Sequence, residues 1–205
     1  MLAQRLWQSY AIITAMENTA SLNLSRHFLV AMPSLSDPIF ARSVILICEH
    51  TSSGAMGIIL NRPLGMTLQT LFDQLEQELH RPDVSELGVH FGGPVQTDRG
   101  FLLHTPIGDW QSSLIVSSEL ALTTSRDILT QIGEGGGPER LFVALGFSGW
   151  EAGQLEKEIA ENSWLTVPMQ DMQILFDTPV DARYDAALAL LGIDMAMLSK
   201  EAGHA

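Results

Sequence analysis

Cys48 and His50 stand two residues apart in the run SVILICEH, residues 43–50. In an extended strand, side chains i and i+2 share a face, so the imidazole would sit close enough to draw the thiol proton. That is the chemistry of a nucleophilic dyad, of a redox sensor, or of a thiol-dependent enzyme with His50 as base. It needs an exposed sulfur with a depressed pKa. A lone cysteine at the end of so apolar a strand reads first as a small buried hydrophobe, and the histidine as a hydrogen-bonded edge residue. His27, His90 and His104 also lie on or beside strand-like runs. The chain carries no HExxH, no paired CxxC and no His-x-His, so neither a metal site nor a cofactor is expected.

The second source of chemistry is basic. In FGGPVQTDRGFLLHT, residues 91–105, two glycines and a proline precede Asp98-Arg99-Gly100. The spacing is neither that of a P-loop nor that of a dinucleotide fingerprint, so the stretch bends the chain first, and Arg99 and His104 alone have a claim on a ligand. TTSRDIL places Arg126 at a helix start, where free N–H groups and the helix dipole favour an anion unless Thr124 or Ser125 caps them. Trp150, just before a helix, is a packing anchor or a stacking wall. Ser148 lacks a GxSxG elbow, which removes support for a serine hydrolase. The candidate ligand surface is therefore Asn61, Arg62, Arg99, His104, Arg126 and Trp150, with Arg62 and Arg99 as anion partners.

These residues need a scaffold. Strands are expected at 27–32, 43–50 and about 55–60, the last two joined as a hairpin through TSSGA. Leu68, Leu71, Phe72, Leu75 and Leu79 recur at helical spacing, with Thr67 as N-cap and Pro82 past the end. Further strands are expected at 88–91, 100–105 and 113–118, then a helix carrying Ile128, Leu129 and Ile132 that ends at GEGGGP. RLFVALGF, 140–147, is apolar throughout and reads as a central strand. A helix over GQLEKEIAEN, an extended WLTVP, a short apolar QILF and a last helix between Asp181 as cap and Gly192 as stop complete the chain. Strands and helices do not alternate cleanly, so the class is α+β with a mixed sheet, in one domain spanning 23–198. Residues 1–22 read as a tail, disordered or with its first fifteen residues upstream of a true start at Met16, and 199–205 as a second tail.

The 205 residues include 11 basic and 24 acidic side chains, for a net charge of −13. That surface repels phosphate backbones and anionic lipid, and there is no cationic run: the lysines are Lys157 and Lys200 alone. With 46% hydrophobic and 17% charged residues the chain should fold. One cysteine forms no internal disulfide, which suits a reducing compartment, and no apolar run has membrane length, so a cytoplasmic protein is expected.

Taken in order, HFLVAMP, DPIFARSV, ICEH, GAMGIILNRP, GGPVQTDRGFLLH, TTSRDIL and GFSGWEAGQLEKEIAENSWLT resemble the bacterial YqgE/AlgH family from about His27 to Asp194. Phe147 stands where that family more usually has a tyrosine, which puts any role for a hydroxyl there in doubt. The resemblance implies a mostly antiparallel sheet curled into a partial barrel with helices packed outside. The family often carries the label of transcriptional regulator, with no agreed ligand or activity. No helix-turn-helix or basic recognition helix is present, so direct nucleic-acid contact is disfavoured. The expected function is non-enzymatic binding of a partner protein or a small anionic ligand, with any transcriptional effect indirect.

Overall fold

The computed structural model describes residues 23–192; the tail expectations at 1–22 and 199–205 and the end of the expected domain lie outside the described residues. The strands are β1 (His27–Ala31), β2 (Val44–Thr51), β3 (Gly54–Ile59), β4 (Pro63–Thr67), β5 (Gly88–Phe91), β6 (Val95–Thr105), β7 (Ser113–Ile115), β8 (Ala121–Thr123), β9 (Arg140–Glu151) and β10 (Trp164–Pro168). The helices are α1 (Leu68–Gln74), α2 (Arg126–Gly133), α3 (Gln154–Ala160), α4 (Gln173–Phe176) and α5 (Arg183–Ala189).

The main sheet runs β10-β1-β2-β3-β9-β6-β8-β7, with β5 attached to β9 and β4 to β5. Its pairs are antiparallel except β5–β9, which is parallel. β9 is the spine, as its apolar stretch 141–147 suggested. Residues 148–151 pair with β3, while Val143–Leu145 hold β5 on one side and β6 on the other. The sheet curls into a half-barrel, and the core records the curl. One cluster gathers Phe28, Leu46, Cys48, Phe101, Leu122 and Phe142 from both ends of the sheet, as only a shared concave face can, and Leu175, Tyr184 and Leu188 of the α4–α5 region close it. The convex face splits in two. Ile45, Ile47, Trp150 and Trp164 pack with Leu155 of α3, while Leu102, Leu141 and Val143 pack with Leu68 and Phe72 of α1 and Ile128 and Ile132 of α2.

Several local expectations change. α1 is capped by the Thr67 side chain as expected but stops at Leu75, because Glu76 turns to φ 55°; Leu79 still packs on the convex core from beyond the helix. β4 and β8 went unread: PLGMT has too exposed and Gly/Pro-broken a pattern, and ALT is too short for a period. Asp181 does not cap the last helix; residues 180–182 form a 3-10 turn and Ala182 holds the cap position. Gly192 does end that stretch, at φ 68°. Among the described residues no helix is long and apolar enough to cross a membrane.

Candidate functional site

The glycines of FGGP set the geometry on which Arg99 depends. A Cβ on Gly92 would lie 2.2 Å from the Gly146 carbonyl oxygen, and one on Gly93, at φ 151°, 2.2 Å from the Phe147 carbonyl carbon. The chain leaving β5 must therefore press against the β9 backbone. It returns as β6, where Val95 pairs with Phe147 but Gly100 with Leu145. The intervening residues, Gln96 at φ 50° among them, bulge off the ladder. Asp98-Arg99-Gly100, expected as a turn, is thus a bulge within one continuous strand, and it throws Arg99 to the surface.

Across the sheet, β6 pairs with β8 in the register Leu102↔Thr123. Arg99 lies three residues before Leu102 and Arg126 three after Thr123, so the same antiparallel register carries the two guanidiniums toward one another. They line one cleft of about 400 Å³ between α1, α2 and the sheet. Its walls are Leu71, Leu75, Leu102, Leu129 and Leu145, and its rim is Asp98, Arg99, Thr124, Ser125 and Arg126. The Arg99 Nη2–H donates to Thr124 Oγ1 at 2.8 Å, and its guanidinium carbon stands 5.9 Å from the Phe101 ring centroid. Among the described residues neither arginine meets a carboxylate. The hydroxyls expected to cap α2 are spent elsewhere: Thr124 accepts from Arg99, while Ser125 donates to Asp127 at 2.5 Å and accepts the Ser112 N–H at 3.2 Å. Ser125 holds the cap position without a capping hydrogen bond, and the Asp127 carboxylate in the first turn accepts the Ile128 N–H at 3.0 Å, which offsets the positive end of α2. Asp127 is held below the usual carboxylate range by the Ser125 hydroxyl and then the Gln111 N–H.

Arg99 also borders a more open cleft of about 450 Å³ on the concave face, with Phe101, Ser113, Leu122 and Phe147. A third groove of about 630 Å³ carries Asp109, Asp127, Glu134 and Trp110. It is an acidic cluster without an unpartnered buried group beside it.

The other candidates are committed to the fold. Arg62 donates to the carbonyls of Ala41 and Asn61, and burial followed by the nearby Arg42 lowers its pKa. It staples a loop and is not available as an anion partner. Asn61 does the same from both ends of its amide, accepting the Val44 N–H and donating to the Arg42 carbonyl. His104 is fully buried: its Nδ1–H donates to the Pro106 carbonyl at 3.0 Å and its Nε2 accepts from the Thr123 hydroxyl at 2.8 Å. Burial lowers its pKa, so it is neutral and faces no cleft. Trp150 is a packing anchor: its indole N–H and that of Trp164 both donate to Glu158 Oε2, at 2.9 and 2.8 Å.

The expected Cys48–His50 juxtaposition does not occur. β2 pairs Ile47 with Gly57 but Glu49 with Met56, so Cys48 is the extra residue of a β-bulge and the alternation breaks there. Cys48 stays on the concave face with Leu46, 2% exposed, its thiol pKa pushed far up by burial and then by Glu49. His50 turns to the opposite face, accepting the Leu24 N–H at Nδ1 and donating from Nε2 to Glu156 at 3.0 Å. His90 is buried elsewhere, stacked 4.3 Å from Phe142, with its Nε2 unpartnered. Among the described residues no group of three or more His, Cys, Asp or Glu is placed to hold a metal.

The comparisons agree with this frame. A family model described as AlgH-like matches residues 28–196. The chain belongs to the AlgH-like family. It is 56% identical to a UPF0301 protein of Chromobacterium violaceum over 185 residues, 90% of this chain and 99% of that one. It is 54% identical to one of Azoarcus sp., covering 92% and 100%. The solution structure of the AlgH protein from Pseudomonas aeruginosa is similar at TM-score 0.73 and 46% identity, over 92% of this chain and 99% of that one. A Corynebacterium diphtheriae protein shares the fold at TM-score 0.55 and 21% identity, over 71% and 75%. In this AlgH-like chain, the residues that sequence reasoning left out of the site are the leucines of α1 and α2. Leu71, Leu75 and Leu129 were read as core-facing positions, yet they are incompletely covered and wall the cleft. Their helical period was the available signal, but two helices had to be placed side by side before it meant a cleft.

Proposed function

We propose that this AlgH-like protein acts by binding and not by catalysis, taking an anionic ligand or the acidic segment of a partner protein at the Arg99–Arg126 cleft, with any effect on transcription indirect. One observation carries the reading. In a chain of net charge −13, two guanidiniums without a carboxylate partner among the described residues line the same cleft. Arg42, Arg81 and Arg140 are each paired with an aspartate, and Arg62 and Arg183 are spent on backbone carbonyls. An acidic surface leaves such a pair unneutralised at a cost in intrachain attraction, which a bound anion restores. With Lys157 paired to Glu161, six of the nine described cations are held by carboxylates or carbonyls, which also argues against a phosphate-tracking groove. A Cys48-centred enzyme or redox sensor has no support, since thiol and imidazole lie on opposite faces of β2.

The test is thermal unfolding of the wild-type chain and of the Arg99→Gln/Arg126→Gln variant against phosphate, citrate, medium-chain carboxylates and an acidic apolar peptide. A ligand that raises Tm for the wild type and not for the variant supports the reading. Stabilisation by none of them, or stabilisation that survives in the variant, contradicts it.

A further inference from the structure

We infer that the cleft between α1 and α2 is a site for a medium-chain fatty carboxylate, its head group held by Arg99 and Arg126 and its tail laid along the leucines. The inference rests on the binding reading above and names its ligand class.

The lining decides the class. The walls are aliphatic: Leu71 and Leu75 from the α1 side, Leu129 from α2, Leu102 and Leu145 from the sheet. Among the described residues the lining holds no aromatic ring and no carboxamide, so there is no platform for a base and no amide to read a sugar or a peptide backbone. Its two hydroxyls, of Thr124 and Ser125, already hydrogen-bond within the chain. What remains for a ligand is aliphatic surface and charge. Leu75 is 45% exposed, and Leu71 and Leu129 are half-buried, so a tail has uncovered apolar surface to occupy.

The rim decides the head. Among the described lining residues Arg99 and Arg126 are opposed by one carboxylate, Asp98, which leaves a single net positive charge; the end of α2 adds little to it, because the Asp127 carboxylate in the first turn accepts the Ile128 N–H. One excess positive charge suits a monoanion better than a dianionic phosphate, and a planar carboxylate can bridge two guanidinium forks. The cleft encloses about 400 Å³, within the range of small-molecule sites, and is walled by two helices and a sheet. A protein interface needs a broader surface than such a cleft offers. The occupant is therefore a fatty acid and not a partner's side chain.

Calorimetric titration of the full chain with hexanoate, octanoate and decanoate, below their micelle concentrations, tests this. The expected result is saturable one-to-one binding that tightens by roughly tenfold for each two methylenes added. Decanol, which keeps the tail and lacks the charge, should bind about tenfold or more weakly than decanoate, and Arg126→Gln should weaken decanoate by about tenfold. Leu75→Ser, at a side chain already largely exposed, should flatten the chain-length series while leaving the circular dichroism unchanged. The inference is overturned if decanoate gives no saturable heat, if decanol binds as tightly, or if Arg126→Gln changes nothing. Octyl phosphate or an acidic apolar peptide binding in an Arg126-dependent way where decanoate does not would also overturn it, while leaving the binding reading intact. No Arg126-dependent anion binding at all would remove both.

Discussion

The β2–β9 region bearing Cys48 on one face and His50 and Trp150 on the other, and the cleft bearing Arg99 and Arg126, invert what their residue types promise. The first holds a thiol, an imidazole and an indole, yet each is consumed by its neighbours: the thiol by apolar burial, the imidazole by Leu24 and Glu156, the indole by Glu158. The second is built from a bulge and a helix start, and it keeps two charges unspent. Chemistry here follows which polar groups the fold leaves without partners, not which groups are intrinsically reactive.

The largest expected effect breaks the packed face. Glu158→Ala strands the Trp150 and Trp164 indole N–H groups, 7% and 4% exposed residues, and should cost about 4 kcal/mol of stability by urea unfolding. Ligand binding at the cleft should survive wherever the variant is folded. A loss under 1 kcal/mol would mean that the bridge is ornamental.

The interior answers to pH with a definite sign. Burial, then the nearby Arg183, lowers the His90 pKa from 6.5 to about 4. Above about pH 6.5 the ring is neutral in both folded and unfolded chains and stability is at its full value. As pH falls from 6.5 toward 4 the unfolded chain takes up a proton that the folded one refuses, so stability should drop by about 3 kcal/mol and the His90 contribution should level off below that. His104, lowered in the same direction, adds to the slope. His90→Leu should flatten the curve over that window; an unchanged curve would show that His90 stays protonated or exposed in the fold.

A smaller effect concerns the thiol. Cys48→Ala should cost about 1–2 kcal/mol, the price of a small cavity, and iodoacetamide should label Cys48 only as the chain unfolds. Prompt labelling of the native protein would restore the thiol reading. The smallest effect lies at the cleft: Arg126→Gln, at an exposed side chain with no ion pair among the described residues, should change stability by no more than about 0.5 kcal/mol while weakening anion binding. A variant that lost stability and binding together would make Arg126 structural.

Much of the scaffold could be read from the chain because its signals are local. The β-branched run of β2, the 3.6-residue period of α1 and the apolar stretch 141–147 of β9 each name their own element. The site was less legible because its determinants are relations between elements. A one-residue bulge at Cys48 sent His50 to the other face, and nothing in ICEH marks a bulge. Arg62 reads as a free cation until the loop carrying Ala41 is placed beneath it. Arg99 and Arg126 were separately named, but only the β6–β8 register, set partly by the unread strand β8, brings them to one cleft.

The central claim is that Arg99 and Arg126 are the uncommitted cations of the cleft and that a ligand lands on them. Phenylglyoxal modification of the native chain, read by mass spectrometry with and without the anion that most raises Tm, tests it most directly. The account predicts that Arg99 and Arg126 react as readily as the exposed Arg26, well ahead of the buried Arg183, and that the anion protects those two while leaving Arg26 unprotected. Slow modification of Arg99 and Arg126 without ligand, or protection that falls equally on Arg26, would contradict it.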